Sequence, residues 1–214
     1  MANAVDAAAD AFARYTAAQR DNRPWRVETL EIEASLPKLA KQGRLRAIRK
    51  LLPLGRPQYE VLEITGDDMV KREVIARYLS EDARTSEIPA ASVAITPDNY
   101  KFRYVGMKQA AAGIAYVFSI TPRKKREGLI KGELWLDGAT GNAVRQSGYL
   151  VKKTSIFVKR IDVAREIQLS GGVAETRITH LSIHTRLAGM AELTVEERPF
   201  SPASADSGAG GAGQ

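Results

Sequence analysis

The sequence predicts an α+β fold: one large antiparallel β-sheet with helices on one face. Three observations carry this. From Asn99 to Glu197, apolar and polar residues alternate almost throughout, the period of half-buried strands. The breaks between these runs are short turn signals such as Asp137-Gly138-Ala139-Thr140-Gly141, and strands joined by short turns pair antiparallel. Helical spacing occurs early in the chain, over 2–20 and 68–79, apart from the long run of strands. A sheet of about ten strands twists and curls, and its concave side is where helices can pack.

Residues 2–20 are Ala-rich, with Val5, Ala8, Ala9, Phe12 and Tyr15 or Thr16 on one face. Asp21-Asn22-Arg23-Pro24 ends this helix, because proline disfavours helix in the residue before it. Residues 1–23 are therefore expected as an N-terminal helix belonging to the single domain. In Trp25–Leu36, Leu30, Ile32, Ala34 and Leu36 fall on one face, the pattern of a half-buried strand. Pro37 to Gly43 turns the chain, and Arg44–Leu52 is a second, very basic strand with Arg44, Arg46, Arg49 and Lys50. Pro53, Gly55 and Pro57 break it before a third strand, Tyr59–Thr65.

The period then changes. Asp67-Asp68 caps a helix over Asp68–Leu79 whose stripe is Val70, Val74, Ile75, Tyr78 and Leu79. A lid helix is expected at about 67–80, followed by loop over 80–98 with Pro89 and Pro97 as breakers. The later strands are expected at Ala143–Lys152, Ser155–Leu169, Val173–Leu187 and Met190–Glu197, after those containing Tyr100–Tyr104, Ile114–Ile120 and Leu129–Leu136. The curved-sheet domain spans 24–200, and the Ser, Ala and Gly of 201–214 are expected as a disordered tail.

Composition bounds the chemistry. The 214 residues are 44% hydrophobic and 27% charged, as in ordinary globular domains. There is no cysteine, which excludes thiol catalysis, thiolate metal sites and disulfides. No run approaches the ~18 apolar residues of a membrane-spanning helix, and Met1 is followed by no basic region and apolar core of a signal peptide. The net charge is +7, compatible with anionic partners or simply with solubility.

The only histidines, His180 and His184, sit on an alternating segment, where a strand would place their Cα atoms roughly 13 Å apart. One metal ion cannot bridge that, so no metal is expected. A Gly-x-Ser-x-Gly elbow and a Gly-x-Gly-x-x-Gly loop are both absent. Helix capping accounts for Asp67 and Asp68, and Glu196 and Glu197 point to opposite faces of a strand. No catalytic constellation results, and no enzyme activity or cofactor is expected.

Two surfaces remain. Arg123-Lys124-Lys125-Arg126, with Arg103, Arg145, Lys152, Lys153, Lys159 and Arg160, forms a basic outer surface suited to phosphate groups or an acidic partner. The run taken by itself reads rather as a solvated hairpin tip. Nucleic acid is disfavoured because the aromatics alternate with charge as core-facing residues do. The apolar faces Leu30, Ile32, Tyr100, Phe102, Tyr104, Tyr116, Phe118 and Leu134 line the concave side, either as a filled core or as a cavity under a lid bearing Val70, Val74 and Tyr78. Trp135 lies on the opposite parity to Leu134 and Leu136.

The runs Tyr116–Arg126, Gly128–Asp137 and Thr140–Gly148, with Leu134-Trp135-Leu136-Asp137 and Thr140-Gly141 at their centre, resemble the LolA-like lipoprotein-sorting superfamily. Ser155–Arg160 and Thr185–Leu193 fit its repeated meander, and the resemblance covers about 2–198 in element order. It implies a large, strongly curved antiparallel β-sheet, an unclosed half-barrel with helices packed over its concave face, in an exported, periplasmic or cell-envelope protein whose signal peptide has been removed. It implies a non-enzymatic pocket for the acyl chain of a lipid or lipoprotein, in a carrier or in a stress sensor that binds a membrane-anchored envelope protein. It also implies an arginine in an early strand that bonds to the lid, a role open to Arg44, Arg46 or Arg49. The function expected is a carrier or sensor holding an acyl chain between sheet and lid. The alternative is an interaction module that uses its basic face without a lipid ligand.

Overall fold

In the computed structural model, residues 2–19, 26–52, 56–110, 113–152, 157–171, 173–186 and 189–201 are described. Helix α1 (Ala2–Ala18) precedes β1 (Val27–Leu36), β2 (Lys41–Lys50) and β3 (Gln58–Gly66). A helical stretch follows: α2 (Asp68–Val70), a π-helical turn (Lys71–Ile75), α3 (Ala76–Thr85) and the short α4 (Ala90–Val93). The remaining strands are β4 (Tyr100–Ala110), β5 (Gly113–Pro122), β6 (Ile130–Asp137), β7 (Ala143–Leu150), β8 (Val158–Ser170), β9 (Val173–Thr185) and β10 (Met190–Pro199).

All ten strands form one antiparallel sheet in the order β3-β2-β1-β10-β9-β8-β7-β6-β5-β4. β3 and β4 are its two edges and do not pair with each other, so the half-barrel is unclosed. This order explains the lid. β3 and β4 are consecutive strands at opposite edges, nine strand spacings apart, or about 43 Å along the sheet. The segment 67–99 must make that crossing, and it does so as helix over the concave face.

The helical stretch begins where the sequence places it, with Asp67 Oδ1 accepting from the Met69 N–H at 2.8 Å. It runs past Leu79 to Thr85, and α4 follows, where the sequence reads only loop. The extension has no apolar stripe to announce it; its side chains Asp82 and Arg84 are held by ion pairs to distant residues. The turn expected over 37–43 is shorter, because Pro37–Leu39 forms one 3₁₀ turn that ends at Ala40 in the left-handed conformation (φ 51°). Trp25, the expected helix end at 20–23 and the expected tail beyond Ser201 lie outside the described residues.

Two apolar clusters lie on the concave side. In the first, Leu30, Ile32, Leu45 and Val195 of the sheet pack with Val70, Val74 and Ile75 of the helical stretch. In the second, Tyr100, Phe118, Ile120, Leu134 and Leu136 pack with Ala8 and Tyr15 of α1. The Phe12 ring seals that contact, 4.8 Å from Phe102 and 5.3 Å from Phe118 between centroids. The turn after β6 receives α1: Arg14 Nη2 donates to the Gly138 carbonyl at 3.0 Å. Gly141 is required there, since a Cβ on it would lie 2.7 Å from the Ala11 carbonyl oxygen.

Candidate functional site

Parity along β2 separates its three arginines. Leu45, Ala47 and Arg49 face the concave side, whereas Arg44 and Arg46 face outward, where they pair with Glu31, Glu33 and Glu63. Arg49 alone reaches the lid. It pairs with Glu28 of β1, with Glu197 of β10 at 3.2 Å and with Asp82 of α3 at 3.0 and 3.1 Å. Tyr59 of β3 donates its hydroxyl to Asp82. Arg177 of β9 closes the cluster on Glu197 at 3.2 Å.

The electrostatics follow from this enclosure. Burial alone would lower the Arg49 pKa, but Asp82, Glu28 and Glu197 hold it above the ordinary arginine value. Burial, and then the charge of Glu197, push the Glu28 carboxyl up; Arg49 opposes this without cancelling it. Burial and the neighbouring Asp82 carboxylate likewise raise the Tyr59 and Tyr78 phenols, with burial the larger cause for each.

The lid is anchored unequally at its two ends. Val70, Val74 and Ile75, in α2 and the π-helical turn, are buried in the first apolar cluster. No residue of α3 is fully buried; Tyr78 and Leu79 pack partly against that cluster, and Asp82 supplies the polar attachment. Farther along, Arg84 pairs with Glu127 beside the basic tip, which lowers the Glu127 carboxyl through the hydrogen bond it accepts.

Directly paired residues of antiparallel strands project to the same face. The register gives a row across the sheet: Ile64, Leu45, Ile32, Val195, Thr179, Arg165, Gln146, Leu134, Phe118 and Tyr104, from β3 to β4. Its ends are apolar and its middle is polar. The adjacent row, through Leu193, Leu181, Val163, Gly148, Gly132, Ile120 and Phe102, has no side chain at Gly148 or Gly132. Those two glycines oppose each other because β6 and β7 come too close for a Cβ: one on Gly132 would lie 1.9 Å from the Ser147 carbonyl oxygen.

The residues singled out in the sequence are thus divided. Leu30 and Ile32 share the first cluster with the lid residues Val70, Val74 and Tyr78, while Tyr100, Phe102, Tyr104, Tyr116, Phe118 and Leu134 belong to the second. Between the clusters lie Thr179, Arg165 and Gln146, which sequence reading did not single out. Of the basic tip, Arg123 donates to the Pro97 carbonyl at 2.7 Å and Arg126 to Asn99 Oδ1 at 2.7 Å, so these two tie the tip to the start of β4. Lys124 and Lys125 are exposed. On the convex face the Lys108 ammonium and the Arg145 guanidinium flank the Trp135 ring at 4.8 and 5.3 Å. A polar cleft of about 430 Å³ also lies on the convex side, between Glu33, Arg44, Thr65 and Glu192. Among the described residues no acidic and histidine group is arranged to hold a metal ion, and no helix is long and apolar enough to cross a membrane. His180 is exposed, and His184 Nε2 lies 3.3 Å from Asp162.

No family model and no curated protein matches the sequence. Among solved structures, a LolA superfamily protein from Nitrosomonas europaea is similar at 10% identity and a TM-score of 0.39, with 92% of this chain and 96% of that one covered. MucB is similar at 15% identity and a TM-score of 0.29, with 90% and 93% covered. A MucA/MucB complex from Pseudomonas aeruginosa gives 14% identity and a TM-score of 0.27, with 90% and 93% covered. These similarities extend over most of each chain at low sequence identity.

Proposed function

We propose that the chain is a non-enzymatic carrier or sensor of the cell envelope that holds an acyl chain between its curved sheet and the lid. The observation that carries this reading is the lid's unequal anchoring. One end is rooted in apolar core, and the other is attached chiefly through Asp82 to Arg49 and Tyr59. Opening there exchanges ion pairs for water while the apolar root stays buried. The floor beneath offers apolar surface on both sides of the glycines at 132 and 148. Each buried methylene of a guest would contribute about 0.8 kcal/mol before the costs of binding. Under this reading Leu30, Ile32, Tyr100, Phe102, Tyr104, Tyr116, Phe118 and Leu134 are contact residues for the guest, and Val70, Val74 and Tyr78 face it from the lid. Native mass spectrometry after incubation with palmitate or a diacyl phospholipid tests it: one retained lipid per chain is expected, and an unchanged apo mass with both refutes it.

A second reading has its own observation. On the convex face, Lys101, Arg103, Lys108 and Lys131 are exposed around Trp135 and Arg145. This basic, aromatic surface suits an acidic envelope protein or an anionic membrane surface. Binding there would weaken steeply with added salt, whereas uptake of an acyl chain would hardly respond.

A further inference from the structure

Arg165 occupies the middle of the concave face, in the polar centre of the row that crosses all ten strands. Its neighbours account for only part of its hydrogen-bonding capacity. Nε donates to Thr179 Oγ1 at 3.1 Å, its one hydrogen bond among the described residues. Among the described residues no carboxylate lies within ion-pairing distance. Glu197, the carboxylate whose charge reaches Arg165, is already engaged by Arg49 and Arg177. A guanidinium with five donors in a fixed fork is thereby left with both terminal nitrogens available on the half-buried concave face.

Two further polar groups share the place. Gln146 is the direct cross-strand partner of Arg165 on the same face, and its amide has no hydrogen bond among the described residues. Tyr78 of α3 packs against the first cluster together with Leu181 and Ile183 of β9, the strand paired with β8, and its hydroxyl also lacks a hydrogen bond among the described residues. Two donors thus adjoin across the β7–β8 pair, and a third hangs from the lid on the same concave side. Apolar surface flanks the place on both sides, Leu181 and Ile183 toward the first cluster and Val163 and Leu150 toward the second.

We propose that Arg165, with Gln146 beside it and Tyr78 above it, is the seat of an anionic group, a carboxylate or a phosphate. If the group is the head of an amphiphile, which rests on the acyl-chain reading above, its tail would run along the side-chain-free floor at Gly132 and Gly148. The site would then select an anionic amphiphile over a neutral one, because a neutral head leaves the half-buried guanidinium without a counter-charge.

Isothermal titration with decanoate, decanol and inorganic phosphate tests this on the full chain. Decanoate is expected to bind at least tenfold more tightly than decanol. Arg165→Gln should weaken decanoate at least tenfold and leave decanol within twofold, and Arg165→Lys should retain part of the preference. Gln146→Leu, which keeps the guanidinium, should weaken decanoate at least threefold and decanol not at all, and so tests the seat even where R165Q fails to fold. Equal affinities for decanoate and decanol, unchanged by R165Q and Q146L, would overturn the seat and leave the acyl-chain reading standing. Phosphate binding lost in R165Q, with neither ten-carbon probe bound, would support the seat for a free anion and overturn the acyl-chain reading. Absence of binding by all three probes overturns both.

Discussion

Arg49 and Asp82 join the sheet to the helix above it through two contacts, Nη2 to Oδ1 at 3.1 Å and Nε to Oδ2 at 3.0 Å. The pair is largely desolvated, with the Arg49 side chain 11% exposed. Removing one partner of a buried pair generally costs about 3–5 kcal/mol because the other charge is stranded. Arg49 keeps Glu28 and Glu197 when Asp82 is removed, so Asp82→Ala should cost less, about 1–3 kcal/mol. The loss should be local. Amide hydrogen exchange is expected to accelerate across Ala76–Thr85 and to stay slow at Val74 and Ile75, which the apolar cluster holds. Uniform acceleration through both segments would show that Asp82 supports the whole domain and not a lid.

Glu28 makes the cluster sensitive to pH. Burial, then the repulsion of Glu197, raises its carboxyl pKa against the pull of Arg49 and Arg177. The folded protein therefore binds this proton more tightly than the unfolded chain, whose glutamate titrates near about 4.3. The stability that Glu28 contributes is present below that value and is lost as pH rises through the folded pKa. Glu28→Gln removes the titration and keeps an acceptor for Arg49. Urea unfolding from pH 4 to pH 8 should show the variant gaining on the parent as pH rises. A stability difference independent of pH would refute the assignment.

Gly132 and Gly148 bring β6 and β7 together more closely than side chains permit. A Cβ on Gly132 meets the Ser147 carbonyl oxygen, which is backbone and cannot rotate away. Gly132→Ala should therefore destabilise the protein by about 3 kcal/mol, the upper end of the range for inserting atoms into a packed interior. Gly171→Ala is the contrast. It has open space around it and only a left-handed φ of 58° to penalise the substitution, which costs about 1 kcal/mol. Equal midpoints for the two variants in thermal unfolding would mean that the strands separate freely at Gly132.

Much of this arrangement is legible in the residues. Alternation in Leu30, Ile32 and Ala34 gives β1 its buried face, and the Asp67 cap gives the start of the lid. The choice among Arg44, Arg46 and Arg49 was also within reach: Arg49 shares its parity with Leu45 and Ala47, and only that face meets the helices. Arg165 was not legible. On β8 it alternates with Glu166 and Asp162 like any surface charge, and only the register that sets it beside Thr179 and Gln146 shows it to lie on the concave face. The extension of α3 to Thr85 was hidden for a related reason. Asp82 and Arg84 add nothing to an apolar stripe, and their partners Arg49 and Glu127 lie 33 and 43 residues away in the chain.

Helix α1 tests whether the second cluster needs its cover. Phe12 bridges Phe102 and Phe118, and the buried Tyr15 donates its hydroxyl to the Ile95 carbonyl at 2.9 Å. Phe12→Ala removes the bridging ring from a half-buried position. It should cost about 2–3 kcal/mol, below the 3–5 of a fully buried phenylalanine. Tyr15→Phe loses one hydrogen bond and should cost about 1 kcal/mol. The two contacts are on neighbouring turns of one helix, so the double variant separates two mechanisms. If α1 docks as a unit, its release limits the total loss, and the double variant is less destabilised than the sum of the single changes. If the contacts act independently, the losses add. Stability should also fall most in the second cluster, read as faster amide exchange at Phe118 and Leu134 with little change at Leu30 and Ile32. Equal acceleration in both clusters would mean that α1 holds the entire sheet in its curved form and does not act as a local cover.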